Sequence, residues 1–110
     1  MRQARVLRNG ELVGILTQFG AKEYTFSYDQ EWFSNPGKPA LSLTLPKKQK
    51  DYQADHLFPF FFNMLSEGAN LKLQSRQFQI DESDYFGLLL HTARHETIGS
   101  ITVEALNKEV

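Results

Sequence analysis

Phe60-Phe61-Phe62-Asn63-Met64-Leu65-Ser66-Glu67-Gly68 is the densest apolar run of the chain, and it stops at a polar residue, an acid and a glycine. Such a run has to be buried, because a large apolar side chain left in water forfeits roughly 1.5–3 kcal/mol. Two placements satisfy it, and they are compatible: the central helix of a small core, or a face that another protein partly covers. Asp55 upstream can serve as an N-cap, and Gly68 can take the left-handed conformation that ends a helix without a Cβ penalty. The two bracket a helix of roughly ten residues. Pro59 lacks a backbone donor and fits only a first turn, so the regular helix is expected to begin within a residue or two of it.

A chain of 110 residues has room for one core, so a single domain spanning 1–110 is expected. Lys and Arg number 12 against 13 Asp and Glu. That balance lacks the basic excess by which nucleic-acid binders announce themselves, and no direct nucleic-acid binding is expected. There is no cysteine, which removes disulfide frameworks and thiolate metal sites and makes a cytoplasmic home the simplest expectation. Met1-Arg2-Gln3-Ala4-Arg5 passes directly into a strand-like pattern, with no apolar stretch suited to a signal peptide or a membrane span.

The first third reads as antiparallel sheet. Asn9-Gly10 lies between two strand-like runs and is the favoured pair for a two-residue type I′ turn, since both central residues need positive φ. Phe19-Gly20-Ala21-Lys22 offers a second reversal, after which Tyr24, Phe26 and Tyr28 alternate with polar residues at the spacing of a half-buried strand whose aromatic side faces the core. Trp32 and Phe33 precede the irregular loop Ser34-Asn35-Pro36-Gly37-Lys38-Pro39. Ala40 to Pro46 alternates three leucines with Ser42 and Thr44, which predicts a strand, either at an edge or ended by the proline. Lys47-Lys48-Gln49-Lys50 reads as a solvated loop.

Beyond the Phe-rich stretch, Asn70 can cap a second short helix running through Phe78, and Ser83 a third whose Tyr85, Phe86, Leu88, Leu89 and Leu90 cover more than one face. Asp81, Glu82 and Asp84 suit the positive end of that helix rather than a catalytic cluster. Gly99 to Ala105 alternates again and is expected to return to the sheet, with Asn107 to Val110 frayed. The fold class is therefore α+β: a small single domain with a mainly antiparallel sheet and about three short helices.

Little in this chain resembles catalytic machinery. His91 and His95 have the i, i+4 spacing of a metal pair, but no Glu follows His91, and Arg94 adds charge that disfavours a dication. No metal site and no cofactor are expected. Glycine-rich phosphate loops, nucleophile elbows and the His-Arg-Asp and Asp-Phe-Gly sequences of kinases are missing, so the chain is not expected to be an enzyme.

Four pieces in order resemble the N-terminal subdomain of HipA-type serine/threonine kinases, the toxins of bacterial toxin–antitoxin modules. They are the hairpin around Asn9-Gly10-Glu11-Leu12-Val13-Gly14; Leu41-Ser42-Leu43-Thr44-Leu45-Pro46; Phe62-Asn63-Met64-Leu65-Ser66-Glu67-Gly68, similar to an Asn-Leu-Leu-Pro-Glu-Gly turn; and Asp84-Tyr85-Phe86-Gly87-Leu88-Leu89-Leu90 followed by Ile98-Gly99-Ser100-Ile101-Thr102-Val103. The sequence ends at Val110 without kinase motifs. A free-standing copy resembles HipS, the small subunit type of tripartite HipBST modules. That resemblance implies an antitoxin that binds a HipT-like kinase toxin in trans, beside a HipB-like helix-turn-helix DNA-binding protein in a ternary complex. It also suggests an aminoacyl-tRNA synthetase as the kinase's target.

The expected inhibition is steric and conformational, by docking near the kinase cleft. The alternative is a structural subunit that completes the kinase N-terminal lobe without inhibiting it. Candidate contacts are Met64, Leu65, Ser66, Glu67 and Ala69 at the turn, with Trp32 and Phe33 either aromatic anchors or, like the Phe60-Phe61-Phe62 rings, ordinary core residues. On this reading Glu67→Lys and Leu65→Asp weaken partner binding and leave the fold intact. Ser66 stands where the family's turn usually has proline. Ala69 stands where relatives often place a bulky residue, and Ala93-Arg94-His95-Glu96 replaces a Gly-Arg-Asp-like segment.

Overall fold

The computed structural model describes residues 1–65, 75–77, 79–81, 83–92 and 101–106, with the backbone alone at 91 and 92. Three strands open the chain: β1 (Arg2–Arg8), β2 (Glu11–Gly20) and β3 (Glu23–Tyr28). A short helix, α1 (Gln30–Ser34), is followed by β4 (Asp51–Ala54), α2 (Pro59–Phe62), α3 (Tyr85–Thr92) and β5 (Ile101–Ala105). The strands form one sheet in the order β4-β3-β2-β1-β5, and each neighbouring pair is antiparallel. Residues 75–77 add a helical turn. The α+β class holds. Among the described residues, no helix is long and apolar enough to cross a membrane.

The meander follows from local chemistry. Asn9 and Gly10 take φ values of 51° and 83°, as the tight turn between β1 and β2 requires. Ala4, Val6, Leu16, Tyr24, Phe26 and Tyr28 all lie in the core, so the alternation of β3 does put its aromatic side inward. Gly14 makes the close packing possible. A Cβ there would sit 2.5 Å from the Ser27 carbonyl oxygen and 2.7 Å from Phe26 Cζ, so the Phe26 ring lies where any side chain on β2 would stand. Above this face, Phe61 is fully buried against Phe26, with ring centroids 5.9 Å apart. Aromatic contacts at this spacing add about 0.5–1.5 kcal/mol beyond their buried area.

Four expectations need correction. The leucine stretch 40–46 is a folded turn rather than a strand: its ladder is one isolated bridge, Ser42 to Leu45, with Leu41 and Leu45 buried and Leu43 fully exposed. The cause lies in β3. The Tyr28 hydroxyl accepts from Leu41 N at 2.8 Å and donates to the Leu45 carbonyl, stapling both ends of the loop to the core. The edge strand is instead β4, where Tyr52 and Ala54 alternate with Asp51 and Gln53.

The Phe-rich helix is shorter than its brackets. It starts at Pro59 with Phe58 in the N-cap position, ends at Phe62, and makes no use of Asp55 as a cap. Asp84, not Ser83, caps α3: its Oδ1 accepts from Gly87 N at 3.1 Å, while Ser83 N and Oγ donate to Asp81 Oδ1. Of the helix expected from Asn70 to Phe78, all but 75–77 lies outside the described residues, as does the expected frayed end.

Arg2 ties α3 to the sheet. Its guanidinium donates to Asp84 Oδ1 at 2.8 Å and, through Nε, to Gln18 Oε1 at 2.8 Å, and it lies 5.0 Å from the centre of the Phe86 ring. Hydrogen bonding from Arg2 outweighs partial burial and holds the Asp84 carboxyl below its usual range.

Candidate functional site

Three consecutive phenylalanines on a helix advance by about 100° each, so they cannot share one buried face. Phe61 takes the inward direction and is fully buried, which leaves Phe62, the last residue of α2, 45% exposed. Tyr85, the first residue of α3, is 36% exposed and meets it edge to face, with ring centroids 5.1 Å apart. These two rings with His56, Leu57, Pro59 and Asn63 line an open cleft of about 270 Å³ whose wall is mainly hydrocarbon. At its rim His56 Nδ1 lies 2.7 Å from Asp55 Oδ1, and that hydrogen bond draws the Asp55 carboxyl below its ordinary value.

The predicted turn begins at one side of this cleft. After α2 the chain tightens: Met64 N donates to Phe61 O and Leu65 N to Phe62 O, each at 3.1 Å, in the three-residue spacing of a closing turn. This turns Met64 and Leu65 inward, to 6% and 7% exposure. Leu65→Asp therefore strikes the core, and the expectation that it would leave the fold intact does not hold. Ser66, Glu67 and Ala69 lie outside the described residues.

Trp32 and Phe33 sit on α1, which Asp29 caps by accepting from Glu31 N and Trp32 N. Trp32 is 4% exposed; its Nε1 donates to Pro39 O at 2.8 Å and Lys38 Nζ lies 5.2 Å from the ring centre. Phe33 packs partly buried against the core, 6.1 Å from the Tyr28 ring. Trp32 borders a separate polar cleft with Glu11, Leu12, Asp29, Glu31, Asn35 and Lys38, and the two clefts share no lining residue. The structure thus does not bring Trp32 to the apolar cleft.

Sequence reasoning missed His56, Leu57, Pro59, Phe62, Asn63 and Tyr85 as a group. The available signal was the angular one, since one phenylalanine of the triplet had to face outward. Chemically the cleft can bury a partner's apolar side chain, worth roughly 1.5–3 kcal/mol for a Leu- or Phe-sized group. Among the described residues, no three or more His, Cys, Asp or Glu side chains are grouped to hold a metal ion.

Comparison with known proteins gives the family. The family model described as the HipA N-terminal domain matches residues 4–104. A Haemophilus influenzae protein described as uncharacterized is 30% identical over 104 residues, covering 94% of this chain and 92% of its own. The solved N-terminal domain of HipA toxin superposes with a TM-score of 0.72 at 28% identity, over 99% of this chain and 96% of that one. With the sheet order, the buried aromatic face and the match across nearly all the strands in hand, the chain belongs to the HipA N-terminal domain family.

Proposed function

We propose that this protein is an antitoxin subunit that binds a HipT-like serine/threonine kinase toxin in trans and inhibits it by docking near the active site, with a HipB-like DNA-binding protein in the same complex. Membership in the HipA N-terminal domain family supports a toxin–antitoxin role at the coarser level. The observation that carries the docking reading is the apolar cleft between α2 and α3, opening beside the turn that leads to Ser66, Glu67 and Ala69. A core-facing role does not explain the exposed Phe62 and Tyr85 rings, whereas a partner's side chain seated over them in the cleft would remove both from water. The chain acts on the kinase by occupying space and restricting closure, and carries out no chemistry of its own.

The test is co-expression with a HipT-like kinase, scoring growth rescue and co-purification, with Phe62→Ser and Tyr85→Ser as variants that keep the core. Rescue with a stable complex, both weakened by the variants, is the expected result. A stable complex without rescue would replace inhibition by a purely assembling role. No complex would overturn the reading.

A further inference from the structure

The two edges of the sheet are in opposite states. Antiparallel ladders alternate, so that every second residue turns its N–H and C=O toward one neighbour and the next residue turns them away. Leu106 N donates to Gln3 O at 2.9 Å, which continues the β1–β5 register and makes Glu104 and Thr102 the residues bonded to β1. Ile101 and Val103 therefore aim their backbone groups outward, and they are 4% and 0% exposed. At these two residues the edge is closed to solvent.

On the other side, Tyr28 N donates to Lys50 O at 2.9 Å, so Tyr52 and Ala54 bond to β3. Asp51 and Gln53 turn their backbone outward, and both are exposed, as is Asp55 just past the strand. Gln49 Nε2 donates to the Asp51 carbonyl at 2.8 Å, while the N–H of Asp51 and both backbone groups of Gln53 face open solvent. A backbone edge in this state is a template for a further strand.

Charge selects the occupant. Asp51 projects from the face opposite the core and Asp55 follows the end of the strand, and among the described residues neither is ion-paired with a lysine or arginine. Lys50 Nζ is directed to Ser27 Oγ at 3.4 Å, and Lys22 acts on Asp55 only through space. A second copy of this chain fits poorly. Two-fold pairing centred on Gln53 sets Asp51 across from Asp55 twice, and the neighbouring register centred on Tyr52 leaves Asp51 diagonal to both carboxylates of the other copy. Like charges so placed oppose pairing.

We propose that β4 is a docking edge for an extended strand of another protein, one that sets lysine or arginine against Asp51 and Asp55 and apolar side chains over Tyr52 and Ala54. This goes beyond the cleft between α2 and α3 and does not depend on what that cleft binds.

The test uses the full chain and two blocked nonapeptides, one alternating lysine with valine and one alternating glutamate with valine, read by amide hydrogen exchange and titration. The basic peptide is expected to slow exchange at Asp51 and Gln53 at least tenfold at saturation and to bind at least tenfold tighter than the acidic one. Gln53→Pro removes an outward donor at an edge position where proline is tolerated, and should abolish binding with the circular dichroism spectrum unchanged. Asp51→Lys with Asp55→Lys should invert the peptide preference, which keeps the proposal falsifiable if the proline variant fails to fold. Unchanged exchange at both amides, equal affinity for the two peptides, or self-association through β4 in their place would overturn it.

Discussion

β4 and β5 end the same sheet, yet one is guarded by charge and the other by cover. Ile101 and Val103 on β5 have almost no surface, while Asp51 and Gln53 on β4 stand in water. An unpaired strand edge invites association, and charged, short strands are one remedy while covering is another. The difference teaches that side chains on β5 answer to the interior and those on β4 to whatever approaches from outside. Substitutions on the two strands should therefore separate the two edges by several kcal/mol.

The largest separation is expected from Val103→Asp. A carboxylate without a partner, placed in a fully buried site, should cost at least about 4 kcal/mol and leave no folded baseline in a urea titration. If the variant folds with near-normal stability, the β5 edge is not closed and the comparison fails.

Tyr28→Phe comes next. It strands the Leu41 N–H and frees the Leu45 carbonyl, so the loop leading toward β4 loses its staple at a cost of about 1–3 kcal/mol. Faster amide exchange should appear at 41–45 before it appears on β5. Equal acceleration on both sides would show that the two edges unfold together.

Asp84→Asn probes the attachment of α3, which packs against β5, and is expected to cost about 1 kcal/mol given its partial exposure. Because the folded-state pKa of Asp84 is lowered, its contribution is present above the unfolded value near 3.9 and disappears as pH falls through the folded value. The natural protein should thus lose more stability than the variant as pH drops below about 4. Parallel pH curves would remove the Arg2–Asp84 pair from the account. Gln53→Lys on the open edge should do least, within about 0.5 kcal/mol, by the same urea titration.

How much of this was legible beforehand varied with the range of the determining interaction. Asn9-Gly10 and the Tyr24, Phe26, Tyr28 alternation fixed the meander because turn chemistry and strand period are local properties. The loop 40–46 misled because its own leucines alternate, whereas its shape is imposed by a hydroxyl on Tyr28 more than ten residues away in sequence. Asp84 was recognised as suited to a helix start, and its cap bond to Gly87 is local, but its pairing with Arg2 spans 82 residues, which no local pattern reports. Met64 and Leu65 were expected as partner contacts, yet their inward rotation depends on the short i to i−3 bonds that close α2. The exposed pair Phe62 and Tyr85 required two helix directions at once, and the sequence offered only one of them.

The pairing of Arg8 with Ile101 and of Ala4 with Ala105 also sets a sequence of events during synthesis. β2, β3 and β4 can add to β1 as they emerge, since each reversal is short or bridged by a compact loop, but the strand that seals the far side starts 93 residues after β1 ends. At typical elongation rates β1 would wait roughly 5–20 s with its own row of amides and carbonyls bare. During that interval the nascent domain carries two open margins instead of one. A contact with a nearby chain made then would fall on β1, at a surface the finished protein no longer displays.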